Sequence, residues 1–364
     1  MATDVHETVP GRRRPLWRRL LAPLFSLVLL AAVVFWFLPQ FTSLGAVWAT
    51  VQAMSTLEVV VLLLATVWNL ATYQFVMVTT TPGLTLRQAT VSTETTTAVA
   101  NTLVGGAAVA LGLTYTMNSS WGFSRSRTSV SLLTSGLWNN FVKLGLPVVA
   151  IALLALSTPP TAGRLLAAGL GLAGLAGAVI ALWLVLRSRE SAAWVGRTLE
   201  RPVSALLRLV HRPPVHGWDL ATTKFRDRTV LLLHARWHWL TLATLVSHLS
   251  LFLVLLLALR FSGVTADQVG WTEALVVFSF ARLLTAVPFT PGGVGFVEVA
   301  MISGLAAAGG AHAAVAAGVL VFRVLTYVLP IPLGLITYVV WQRKRSWRRA
   351  PNAAPRTELV PETV

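Results

Sequence analysis

Residues 238–260, HWLTLATLVSHLSLFLVLLLALR, contain no acidic residue and no lysine, and Arg260 at the very end is the only fixed charge. An α-helix crosses the hydrocarbon core of a bilayer in about 20 residues, so a run of this length and apolarity is built to span one. Comparable runs fit 20–38, 58–79, 128–156, 164–186, 272–289, 293–309 and 313–341. The chain is therefore expected to be an all-α polytopic membrane protein of about eight transmembrane helices. Composition agrees: 12% of the residues are charged, about half the share of a soluble protein. The absence of cysteine excludes disulfides, thiolate metal sites and cysteine nucleophiles.

A net charge of +16 could suggest a nucleic-acid partner, but its distribution argues otherwise. Of the 29 Lys and Arg, five lie in 1–20, ten in 187–236 and six in 342–364. The segments 39–57, 158–163, 262–270 and 309–312, which read as loops on the opposite side, contain none. This is the positive-inside pattern, and it places both termini and the 187–236 loop in the cytoplasm. No nucleic-acid partner is expected. Arginine outnumbers lysine, and Ala, Val and Leu dominate, as in proteins of GC-rich bacterial genomes. The expected location is thus a bacterial inner membrane.

The layout follows. Residues 1–19 form a basic tail, 20–341 a transmembrane domain, and 342–364 a tail that is basic and then disordered in composition. The first run resembles a signal peptide, but bulky Trp36, Phe37 and Leu38 follow it, so it is read as an uncleaved span. Within 187–236, residues 191–210 read as an interfacial amphipathic helix. Trp194, Leu199, Val203, Leu206 and Leu207 stand opposite Arg197, Arg201 and Arg208, with a bend or restart at Pro202.

Residues 88–118 fit no ordinary span. They are threonine-rich, carry Glu94 and contain Gly105-Gly106, while Arg87 precedes them and Arg125 and Arg127 follow. A re-entrant helical hairpin suits such a segment, since irregular backbone at membrane depth survives only when buried in protein or lining a cavity. A plain cytoplasmic loop is the alternative.

The stretch PFTPGGVGFVEVA, 288–300, interrupts another apolar region. Pro288 and Pro291 stop a helix, and Gly292, Gly293 and Gly295 tolerate the backbone of a sharp break. A new helix is expected to start near Val294 with its free N–H groups facing the break, a ready anion site. Glu298 then falls in its first turns, where the helix dipole favours a negative charge. Arg282 lies before the break and Arg323 after it, and unneeded charges at membrane depth are rare. Glu298 can pair with one arginine and leave the other for an anionic group such as a lipid phosphate. Alternatively, a closed Glu–Arg pair only clips helices together.

The first half echoes this pattern weakly. Gly105-Gly106 resembles Gly292-Gly293, Lys143 before Pro147 sits loosely like Arg323 before Pro330, and Leu111 stands where Glu298 would align. Paired interrupted segments in two halves are a mark of inverted-repeat transporters. Glu94, Gly105, Gly106, Asn139, Asn140 and Lys143 are accordingly second-tier cavity candidates. No catalytic residue, metal site or cofactor is expected: His234 and His238 have ligand spacing, but no carboxylate completes a set.

RLLTAVPFTPGGVGFVEVAM, followed by VFRVLTYVLPIPLG, resembles the transmembrane domain of lysylphosphatidylglycerol synthases, also called the YbhN-like or flippase-like family. The resemblance covers about 20–341. It marks Arg282, Pro291, Gly292, Gly293, Gly295, Glu298, Arg323 and Tyr327 as family positions. NTLVGGAAVALGLTY with WGFS looks like the first-half motif, without the proline and charged residues of many relatives. The soluble synthase domain of some members has no counterpart in this sequence. The resemblance therefore implies lipid movement between leaflets rather than synthesis. Its partners are membrane lipids with anionic or lipid-linked headgroups, and a separate synthase or glycosyltransferase. The rival readings are a membrane-embedded transferase acting on lipid-linked sugars and an accessory scaffold for a synthase.

Overall fold

The structure, a computed structural model, describes residues 44–103, 105–156, 162–209, 216–285, 293–344 and 347. The all-α expectation holds, since every described regular element is a helix. In order they are α1 (Leu44–Ala53), α2 (Thr56–Thr80), α3 (Leu86–Thr102), α4 (Gly106–Ser120), α5 (Arg125–Ala155) and α6 (Ala162–Arg187). There follow α7 (Arg189–Leu209), α8 (Trp218–Phe261), α9 (Trp271–Leu284), α10 (Phe296–Ala307), α11 (His312–Arg323), a π-helical turn (Val324–Val328) and α12 (Pro330–Arg343).

Four described helices are long and apolar enough to cross a membrane: α2, α5, α8 and the continuous rod 312–343. The expected run 164–186 lies in α6, which meets α7 at a bend of 115° and makes a fifth candidate with it. The expected span 20–38 and the tail 348–364 lie outside the described residues. The runs 272–289 and 293–309 fall on α9 and α10, whose described helices have 14 and 12 residues. At 1.5 Å per residue these reach about 21 and 18 Å, short of a ~30 Å hydrocarbon core. They pack on each other as a hairpin of half-length helices. Residues 88–118 also form a helical hairpin, α3 against α4, turning at Gly105.

These elements fall into two units: α2, hairpin α3–α4, α5; and α8, hairpin α9–α10, rod 312–343. The units run in opposite senses. Arg228 near the start of α8 hydrogen-bonds Ser126 at the start of α5, and Trp341 near the end of the rod bonds Ser120 at the end of α4. The base of the first hairpin thus lies at one end of the bundle. The second unit begins at that end and carries its own hairpin base at the other. Packing repeats under the same exchange: α2 packs on α8, α3 on α12 of the opposite unit, and α9 on α5 of the opposite unit. The weak sequence echo corresponds to an inverted pair of folded units.

Local chemistry sets the starts. Thr85 and Gln88 cap α3 reciprocally, Ser55 and Glu58 do the same for α2, and Ser124 caps α5. Small residues then let helices approach closely, as membrane helix pairs require. A Cβ on Gly334 of α12 would overlap the Glu94 carbonyl oxygen and the Ala98 methyl of α3, and one on Gly318 would meet Leu259 Cα at 3.0 Å.

The basic segment 187–236 is a helical spur. α7 packs its small face, Ala192, Gly196 and Ser204, toward the start of α8 and leaves Trp194 and Leu199 exposed. Hydrogen bonds from Arg226 and Arg189 bind Asp227 into this spur and hold its carboxyl below the usual carboxylate range. The helix does not restart at Pro202, and α7 runs through it. Pro202 and Thr198 are both exposed, so the ring and the carbonyl it leaves unpaired sit on the open side.

Candidate functional site

The two hairpin tips meet the long helices of the opposite units half-way along the bundle. At the first tip, the Asn101 amide donates to the Tyr327 carbonyl at 3.0 Å, and the Tyr327 hydroxyl donates to the Asn101 carbonyl at 2.6 Å. The π-helical turn supplies Tyr327; such turns widen a helix locally and often mark functional positions. At the second tip, the Lys143 ammonium donates to Thr285 Oγ1 at 3.2 Å. Each tip is therefore held by a polar contact from the other unit.

Glu298 is 3% exposed and fully engaged. Its Oε1 accepts from Arg323 Nε at 2.6 Å, and its Oε2 accepts from the Gly295 backbone N–H at 2.8 Å. The Arg323 guanidinium in turn lies 4.6 Å from the centre of the Tyr327 ring, a cation–π distance. α10 begins at Phe296, two residues after the expected start, with Gly295 as N-cap at φ +91°, a backbone only glycine adopts freely. The expected anion site at this helix end is thus occupied from within: Glu298 itself takes the Gly295 N–H. Pro288, Pro291 and Gly292 lie outside the described residues. Matched on helix N-caps, Gly105 corresponds to Gly295, and Glu298 to Ala108 rather than Leu111.

Arg282 is the other arginine, and it has no ion pair among the described residues. It lines a cavity of about 240 Å³ between the units, shared with Asn69, Tyr73, Glu94, Asn139, His248 and Thr326 among others. Its Nε is buried without a hydrogen-bond partner. Three more atoms on the wall residues are in the same state, Thr93 Oγ1, Glu94 Oε2 and His248 Nε2. Glu94 Oε1 accepts from Gln74 at 2.9 Å, while His248 Nδ1 lies 3.1 Å from the Thr244 carbonyl, which can only accept. Nδ1 therefore carries the proton, and Nε2 presents a lone pair in the neutral ring. Four buried polar atoms from three helices lacking partners at one cavity is an arrangement native interiors rarely leave unused.

Of the sequence candidates, Arg282, Glu94 and Asn139 line the cavity. Arg323, Glu298 and Tyr327 form a closed cluster, and Lys143 sits at the second tip, within electrostatic reach of Arg282. Gly293 and Gly295 shape the start of α10, with φ of +71° and +91°, and Gly105 and Gly106 shape the start of α4. Asn140 is exposed, because Asn139 takes the inward position on α5 and its neighbour is rotated away. Sequence reasoning passed over His248, Asn69, Gln74 and Asn101. The available signal was an isolated polar residue inside an apolar span, as with His248 in 238–260 and Asn69 in 58–79.

The profile of the family described as "Lysylphosphatidylglycerol synthase TM region" matches residues 24–334, most of the chain. None of the curated proteins compared with it matches.

Proposed function

The chain belongs to the lysylphosphatidylglycerol synthase transmembrane family, membrane proteins of lipid synthesis and handling, and from that premise we propose that it moves lipids with anionic or lipid-linked headgroups between leaflets. One observation carries this reading: Arg282, with no ion pair among the described residues, stands at a polar cavity between two oppositely directed hairpins. A buried charge at membrane depth costs several kcal/mol unless paired or hydrated. The carboxylate best placed by sequence to neutralise Arg282 is committed to Arg323. A headgroup phosphate supplies what is missing, since guanidinium and phosphate pair through two parallel hydrogen bonds. Glu298 acts by positioning Arg323 and the tip of its own hairpin. Catalysis is the weaker reading because acid–base chemistry on a lipid-linked sugar needs two available carboxylates, and Glu298 is engaged on both oxygens. In this reading the basic spur faces the cytoplasm of a bacterial cell, where a separate synthase or glycosyltransferase could meet it.

Reconstitution in liposomes with labelled phospholipids, scoring leaflet exchange and chemical conversion together, tests this. Exchange without conversion is expected. Arg282→Gln is expected to slow it by about tenfold or more, the scale of one charged hydrogen bond. Removing Arg201 or Arg208 of the spur should leave it within about twofold. Equal losses in both regions, or none at Arg282, overturn the assignment. For topology, reporter fusions after Thr161, Gly263 and Gly310 are expected on the side opposite the spur. A cytoplasmic signal from any of the three contradicts the layout.

A further inference from the structure

The charges around the cavity do not sum to zero. Three cations, Lys143, Arg282 and Arg323, stand with two carboxylates, Glu94 and Glu298, around the hairpin tips and the cavity. Lys143 and Arg282 act on each other electrostatically, both act on His248, and Arg282 also feels Arg323. Glu298 and Arg323 cancel in direct contact. Among the described residues Glu94 touches no cation; its hydrogen-bond partner is the neutral Gln74 amide, and its second oxygen has none. Tyr73 and His248 are the other ionisable wall residues, and both are counted as neutral. The two helices packed on α3 from its own tip and from the opposite unit bring nothing further. α4 contains no charged residue, and the only one in α12 is Arg343, at its far end. Counted over the described residues, the site carries one net positive charge.

Resting on the reading of Arg282 as the headgroup site, we propose that Glu94 sets the charge class of the ligand: the site takes a singly charged phosphodiester and discriminates against a phosphomonoester. A bound diester brings the count to zero. A monoester carries close to two negative charges at neutral pH and above. It leaves one uncompensated and brings it against the Glu94 carboxylate across a cavity where Coulomb terms are weakly screened. The 6% exposure of Glu94 and its partnerless Oε2 fit this role better than a structural one. A carboxylate kept only to brace α3 would be hydrogen-bonded on both oxygens, as Glu298 is.

The test compares two probes, short-chain phosphatidylglycerol and short-chain phosphatidate. Each is titrated at pH about 8 into the full chain in phosphatidylcholine nanodiscs, where the monoester is doubly ionised. The wild type should bind the diester at least about tenfold more tightly than the monoester, one unmatched charge amounting to a tenfold step or more. Glu94→Gln should reduce that ratio by about tenfold through tighter monoester binding, while Glu94→Asp keeps the wild-type ratio. Asn139→Asp supplies a second variant that leaves Glu94 intact: an added wall carboxylate should weaken both probes, the monoester more. Arg282→Gln should weaken both. An unchanged ratio in Glu94→Gln together with lost binding in Arg282→Gln sinks the charge-class assignment alone. Undiminished binding in Arg282→Gln sinks the headgroup site as well. Deacylated glycerophosphoglycerol separates the sources of a diester: competition as strong as that of the lipid overturns the lipid assignment.

Discussion

Glu298→Gln and Arg323→Gln are each expected to reduce folded protein sharply, because each leaves one member of a 2.6 Å ion pair buried without its partner. Removing one half of a buried pair costs about 3–5 kcal/mol. The two losses should differ in kind. Glutamine at 298 can still accept the Gly295 N–H, since the reciprocal cap works with Gln as well as Glu, but it takes the Glu298 charge away from Arg323. Glutamine at 323 leaves Glu298 with its cap and one empty oxygen. The double substitution removes both charges and is expected to restore stability, measured as the fraction monodisperse after heating in detergent. Leaflet exchange, compared at equal folded protein, is expected to stay low, because the guanidinium over Tyr327 and the hydrogen-bonded hairpin tip are not rebuilt. Exchange returning to the wild-type rate in the double variant would show the pair to be a helix clip and nothing more.

Gly334→Ala should be comparably damaging although it adds one methyl group. The new Cβ would overlap the Glu94 carbonyl and the Ala98 methyl, atoms fixed to the backbone rather than flexible ends. Overpacking of this kind costs about 1–3 kcal/mol and occasionally more. The α3–α12 seam has little room to relax, since Thr95 and Thr337 also bond across it at 2.9 Å. Gly112→Ala and Gly136→Ala are the controls. Neither added Cβ has a neighbour within 4 Å, and both positions lie inside helices, where alanine is favoured over glycine by about 1 kcal/mol. Equal loss of folded protein at Gly112 and Gly334 would refute the close-packing account.

The difference between crossing and half-crossing shows where sequence stops being informative. Hydropathy identified α2, α5 and α8 directly, because each is one apolar segment long enough to span. It also marked 272–289 and 293–309, since a half-length helix buried among others is as apolar as a lipid-facing one. Length of continuous helix, set for α10 by the N-cap at Gly295, separates the two cases and is not a property of composition. Glu298 and Arg323 were legible as site candidates because charges within apolar sequence are few, while the choice between Arg282 and Arg323 as the partner of Glu298 was not. Arg282 stood out for the same reason. His248, Asn69 and Asn101 were not, because a neutral polar residue can satisfy itself locally. Thr66, Thr80 and Thr244 do so by bonding the carbonyl four residues back. Only the packed structure separates those from His248, whose second nitrogen is left without a partner at a cavity lined also by α2, α3, α5, α9 and the π-helical turn.

α8 is continuous over 44 residues, about 66 Å of rod, twice the thickness of a hydrocarbon core. Its apolar part, 238–260, packs on α2 and α11, while its first ~30 Å carries α7 and the paired charges around Asp227. A rod without a hinge behaves as a lever. A tilt of ~10° in the embedded part would displace Trp218 by about 5 Å at the far end, an amplification set by helix rise and length alone. A probe on the spur, attached through a single introduced cysteine in a chain that has none, would register rearrangements of the core from outside the bilayer without touching the cavity.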